Sequence, residues 1–153
     1  MKKITLMTAL LVSTLVPDYG FAQKKELPTY KFNQVPRITT VEDLEAQFSI
    51  KADVVHDIAP YLARYKTDEK DAAAAIAKAH QAEGTIITSI FEEANKLQII
   101  YFIYSESSKY AGKKIADVII AELSLEPTSV APLKIQLSVQ NTRPLGRVYL
   151  IKN

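Results

Sequence analysis

Cysteine is missing altogether from the 153 residues, which excludes disulfides, thiolate metal sites, cysteine nucleophiles and a lipid-modified cysteine anchor. Tryptophan is missing too, and two histidines and four glycines leave few catalytic or phosphate-cradling parts. Neither sign of charge dominates: 19 Lys and Arg against 17 Asp and Glu leave a formal +2, too little for a field that would gather nucleic acid or anionic lipid over the whole surface. Beyond residue 22 no apolar run, Ile99 to Tyr104 included, exceeds six residues, far from the roughly 20 that a bilayer-spanning helix needs. What is there is ordinary globular usage, 48% apolar and 24% charged, in a chain about one domain long.

The first 22 residues have a different character. Lys2 and Lys3 form a positive start, and Ile4 to Val16 is a predominantly apolar run of thirteen residues stopped by Pro17 and Asp18. Gly20 and Ala22 then stand at the −3 and −1 positions of a cut before Gln23. Positive start, short apolar run and small-x-small is the order of a secretory signal peptide, so residues 1–22 are expected to be removed. The mature chain then carries +1, because Lys2, Lys3 and Asp18 leave together. Localisation is expected to be periplasmic or extracellular after cleavage between Ala22 and Gln23.

Residues 23–38, with Pro28 and Pro36, read as an extended lead-in that Tyr30 and Phe32 pin to a single domain over 39–153. Thr40 and Asp43 outline a capping box, and Val41, Leu44 and Phe48 share one face of a helix at about 40–48. A second helix is expected from near Lys51 with Val54, Val55, Ile58 and Leu62 inward, kinked or split at Pro60. A third starts at Thr67 or Asp68, has its small-residue face at Ala72 to Ala75, carries Lys78 and His80 near its C-terminal end, and stops at Gly84.

Past Gly84 the residues turn β-branched and aromatic. Two strands, 85–91 and 97–104, flank a turn at Glu93 to Lys96 in which Asn95 suits a left-handed backbone. Segment 97–104 is apolar on both faces, the pattern of a central strand covered on both sides. Ile86, Ile87, Ile90, Phe91 and Ala94 also satisfy a helical period, so 85–96 fits either state, as does 110–124, where the Val118-Ile119-Ile120 triplet favours a strand. Leu133, Ile135, Leu137 and Val139 alternate with polar residues, and a terminal hairpin is expected to turn at Asn141 to Gly146 before Arg147 to Lys152. Ile99, Ile103, Ile135 and Leu137 belong to the expected core. Helices first and strands second define α+β: N-terminal helices packed on a C-terminal, mainly antiparallel sheet.

Chemistry is thinly represented. Asp53 and His56, at i and i+3 of the expected second helix, would open a metal site, but no further ligand stands at recognisable spacing; solvation and the helix dipole explain Asp53 and Asp57. No H-E-x-x-H, calcium-loop, G-x-S-x-G or S-x-x-K pattern occurs, and Gly112-Lys113-Lys114 lacks the upstream Gly and following Ser or Thr of a P-loop. Glu92 and Glu93, adjacent in a strand, point to opposite faces and do not flank one substrate bond. Tyr101 and Tyr104 are expected in core and rim. No catalytic, cofactor-binding or metal residue is therefore assigned, and no cofactor is expected.

The stretch Thr40-Val41-Glu42-Asp43-Leu44-Glu45-Ala46-Gln47-Phe48-Ser49-Ile50-Lys51-Ala52-Asp53-Val54-Val55 resembles the helix-turn-helix of DeoR-type bacterial regulators. The resemblance implies a DNA-reading helix from about Ala52. That helix would present Asp53 and Asp57 where phosphate contact wants cations, and would contain Pro60. The first expectation is an exported, small, non-catalytic binding or interaction domain for a protein or small envelope ligand, with no nucleic acid and no transmembrane segment in the mature chain. A small exported hydrolase using His56 or His80 with an acidic partner is the alternative, and DNA binding comes last. N-terminal sequencing of the exported protein should begin at Gln23; material that stays in the cytoplasm and still starts at Met1 would contradict the export expectation and revive the DNA-binding one.

Overall fold

The structure, a computed structural model, describes residues 27–106, 113–127 and 135–153. In chain order the elements are strand β1 (Thr29–Lys31), helix α1 (Val41–Phe48), β2 (Val54–His56), α2 (Ile58–Ala63), α3 (Glu69–Ala79), β3 (Gly84–Glu93), β4 (Lys96–Glu106), β5 (Lys113–Pro127) and β6 (Ile135–Ile151). All six strands join one sheet in the order β1-β6-β5-β4-β3-β2. Every pairing is antiparallel except β1 with β6. The expected signal peptide and cleavage site lie outside the described residues, and no described helix is long and apolar enough to cross a membrane.

The expected layer of N-terminal helices on a C-terminal sheet does not form. Strand residues outnumber helical ones about two to one, and the sheet curls into a half-barrel with few helices. The N-terminal part itself supplies both edge strands, β1 and β2, each of three residues. Curling follows from bulges, since an extra residue on one strand increases local twist. Pairing between β3 and β4 shifts between Ile87 and Ser89, where Thr88 Oγ1 donates to the Ile100 carbonyl at 2.9 Å. Two further shifts separate Val118 from Ile119 and Ile120 from Glu122 on β5, opposite Asn141 to Gly146. Those turn-prone residues do not close the expected terminal hairpin; they make bulges within one seventeen-residue strand. Asn141 takes φ 47° there. Pro144, which has no N–H to give, is tolerated at a bulge of a strand that β1 covers only at Tyr149 to Ile151.

Helix α1 forms as its sequence implies. Thr40 Oγ1 accepts the Asp43 N–H at 3.1 Å, Leu44 is fully buried, and Ser49 at φ 56° ends the helix. The second expected helix is corrected. Val54–His56 pairs with Glu92, Phe91 and Ile90 of β3, and only from Ile58 does the chain become helical. Pro60 then falls in the first turn of α2, where its missing donor has no intrahelical partner to lose. The DNA-reading helix implied from Ala52 is thus replaced by a strand.

Asp68 caps α3, its carboxylate accepting the Asp71 N–H at 2.7 Å. The helix ends earlier than Gly84. His80 is its C-terminal cap, Gln81 adopts φ 53°, and the Gln81 and Ala82 N–H groups return to the Lys78 and Ala77 carbonyls at 3.1 and 2.9 Å. Gly84 opens β3, and a side chain there would collide with the Tyr104 ring. The β3–β4 turn is as expected, with Ala94 and Asn95 both left-handed at φ 50° and 62°. The helical alternatives for 85–96 and for the described part of 110–124 are replaced by strands.

Two apolar clusters occupy the two faces of the sheet. On one, Ile58, Leu62, Ala72 and Ile76 of the helices meet Ile90, Ile99, Tyr101 and Ile119. On the other, Ile38, Leu44 and Ile50 meet Phe91, Ile100, Phe102, Val118 and Leu150. Ile99 is fully buried and Ile103 half-buried against the first cluster, while the side chains of Ile135 and Leu137 lie outside the description, as does Leu133. Replacing Ile99 by Ala should therefore lower stability by about 2–5 kcal/mol, and Ile103 by Ala clearly less. Denaturant unfolding measures both; equal losses, or less than about 1 kcal/mol at Ile99, would contradict the covered position of β4.

Candidate functional site

The sequence suggests a polar helix face for His56 beside Asp53. Both belong instead to the β2 edge, and they serve different neighbours. The Asp53 carboxylate accepts the Ala94 N–H at 3.0 Å and thereby braces the β3–β4 turn. His56 Nε2 lies 3.1 Å from Glu92 Oε1, and its ring sits 4.7 Å from that of Tyr61. Tyr61 OH is 3.5 Å from Tyr65 OH, and burial, helped by that contact, pushes the Tyr61 phenol well above its usual range. His56 thus has the acidic partner a hydrolase would need. Among the described residues no Ser or Thr hydroxyl is hydrogen-bonded to His56.

His80 closes α3 and places Nε2 2.7 Å from Tyr101 OH. Tyr101 is fully buried, and burial pushes its phenol up to about 12. A phenol that stays neutral at physiological pH fixes the imidazole but supplies no negative charge to it. The histidine lines a depression of about 310 Å³ with Ile103, Ser105, Ile115, Asp117 and Arg147. Its acid, Asp117, is held by Arg147 Nε at 2.7 Å. His80 thus shares a concavity with Ser105 and Asp117, but its ring nitrogen is engaged by Tyr101 and Asp117 by Arg147, so no Ser-His-Asp hydrogen-bond chain is formed among the described residues.

Glu92 and Glu93 diverge, one to His56 and the other to a depression of about 220 Å³ that also holds Glu122 and Arg143. There Asn141 and Lys96 each donate to the Glu122 carboxylate at 3.0 Å and hold it below the usual carboxylate range. Lys114, which in the sequence belongs only to an incomplete phosphate loop, is buried. Its ammonium pairs with Glu83 and lies 5.4 and 4.9 Å from the ring centres of Phe32 and Tyr104. Period-two parity with Ala116 and Val118 is the available signal for that inward position. Gly112 of that incomplete loop lies outside the described residues.

A cleft of about 420 Å³ opens on the face of the second cluster. Its floor is Phe102, Val118 and Val148 from three adjacent strands, and its far side is Leu145 and Gly146. Leu27, Pro28, Tyr30 and Pro36 form one wall; Gln47, Phe48 and Ser49, the end of α1, form the other. The first wall is a strap tied down by Tyr30 opposite Leu150, by the Phe32 N–H on the Ile151 carbonyl at 2.9 Å, and by Phe32 edge-on to Tyr104 at 5.0 Å. Gly146 matters here, because a Cβ would stand 3.3 Å from Leu27 Cδ2. None of the twelve lining residues is charged, whereas three other depressions among the described residues each hold charged side chains. No composition or spacing rule points to this cleft, since it joins segments about residues 27–36, 47–49 and 145–148.

No family model matches this chain, and neither a curated protein nor a solved structure does.

Proposed function

We propose that the chain is an exported, non-catalytic binding domain for a ligand or partner of the envelope or the extracellular space. Export rests on the order of residues 1–22: positive start, short apolar run and small-x-small before Gln23. Binding rests on one observation, the uncharged cleft between the strap and α1, whose volume falls within the range of about 300–1,000 Å³ usual for small-molecule sites. Among the described residues its lining holds no carboxylate, imidazole or cation, the groups that most often carry general acid–base catalysis, which favours binding over proton transfer.

A second reading has its own support. Over Ile135 to Val148 strand β6 has β5 on one side and, among the described residues, no strand on the other. An edge of that length offers backbone donors and acceptors to an extended segment of another protein, interrupted at Pro144.

Replacing His56 and His80 together by Gln separates binding from hydrolysis. Gln keeps a donor and an acceptor, so the loss of stability should stay below about 2 kcal/mol, and a partner recovered from an envelope extract should bind both forms of the mature protein equally. A hydrolytic activity of the mature protein that disappears in the double variant would overturn the non-catalytic reading, because a general base commonly supplies about 10²–10⁴-fold in rate.

A further inference from the structure

We infer that the cleft takes an uncharged, largely apolar small molecule of roughly ten to fourteen non-hydrogen atoms, an aliphatic chain or flat ring system with at most one neutral polar group. The inference rests on the binding-domain reading above and adds the chemistry of the ligand. Size comes from volume: at about 30 Å³ for a water-sized group, the cleft of about 420 Å³ is filled by a molecule of that range.

The absence of charge follows from the walls. A charged group moved from water onto this lining, which offers no counter-charge among the described residues, loses hydration that the lining does not return. Charged ligands would find better partners at the depressions holding Arg37 with Lys70, Asp117 with Arg147, or Glu93 with Arg143. Apolar character follows from what the ligand would touch: the rings of Tyr30, Phe48 and Phe102 and the aliphatic groups of Val118, Leu145 and Val148. Gln47 and Ser49, both exposed, stand together at the α1 end. They suit a hydroxyl or carbonyl of the ligand left at the rim.

The strap makes the inference testable without knowing the natural ligand. Leu27, Pro28, Tyr30 and Pro36 form a wall, so a bound molecule contacts the strap and should hold it against the sheet. Cleavage after Lys31, an exposed strap residue, reports that contact.

The experiment uses the mature protein, the fluorescent probe naphthylamine, which is uncharged at neutral pH and falls in the stated size range, and decanol, decanoate and decylamine as competitors. The expected result is saturable probe binding displaced by decanol, with decanoate and decylamine at least about tenfold weaker. Trypsin cleavage after Lys31, followed by mass spectrometry, should slow severalfold with decanol. Val118→Trp, which projects an indole into the cleft, should weaken probe binding at least about tenfold. Leu145→Trp, at a half-buried position, serves the same purpose if the first variant does not fold, as judged by its near-ultraviolet circular dichroism. Probe affinity unchanged in a folded Trp variant would overturn the site. Equal displacement by decanoate or decylamine would overturn the ligand class, and so would failure of probe and decanol to bind at all. A partner that still binds the double histidine variant would then leave the broader binding-domain reading standing.

Discussion

Strand β4 has no side that tolerates water. Ile99 and Tyr101 point one way, Ile100 and Phe102 the other, and all four are buried. A sheet built around such a strand needs cover on both faces, and among the described residues three short helices and extended segments provide it. Two of them, α2 and α3, close the Ile99 face with Ile58, Leu62, Ala72 and Ile76. The opposite face receives α1, of eight residues, and an extended strap. An eight-residue helix spans only about 12 Å, so cover on that face is incomplete, and the cleft over Phe102, Val118 and Val148 is what is left.

Holding the strap in place takes several weak devices at once. Parallel pairing with β6 covers only Thr29 opposite Tyr149, Tyr30 opposite Leu150 and Lys31 opposite Ile151. Phe32 adds its ring against Tyr104, and both rings lie close to the buried Lys114 ammonium, which Glu83 neutralises. A buried cation without such a partner would be costly, so the strap, β4, β5 and the α3–β3 connection are tied together at this point. The curl of the sheet depends on a different device, the bulges at Thr88 and opposite Asn141 to Gly146.

Much of this is legible where local pattern and tertiary role agree. Segment 97–104 reads as a strand covered on both sides because its six consecutive apolar residues, Ile99 to Tyr104, are β-branched and aromatic and occupy both faces of an extended chain. Thr40 with Asp43, and Asn95 in its turn, carry their own local chemistry and stand where expected. The α+β reading fails because the edge strands have three residues each, too few to show any period. Val54, Val55, Ile58 and Leu62 satisfy helical spacing, yet pairing with Phe91 and Ile90 decides Val55 and His56. Asn141 to Gly146 has the composition of a turn and the position of a bulge, which composition does not separate. The histidines are visible in the sequence, but their partners Glu92 and Tyr101, 36 and 21 residues away, are not. The cleft is illegible because its walls, at residues 27–36 and 47–49, and its floor and far side, at 102, 118 and 145–148, lie far apart in the chain.

Hydrogen exchange resolved by residue tests most directly that everything is organised around a doubly covered β4. The amides of Ile99 to Phe102 should exchange only through global unfolding, while those of β1 and β2, at the edges, exchange through smaller local openings. Amides of β4 that exchange as fast as those of β1 would contradict the account.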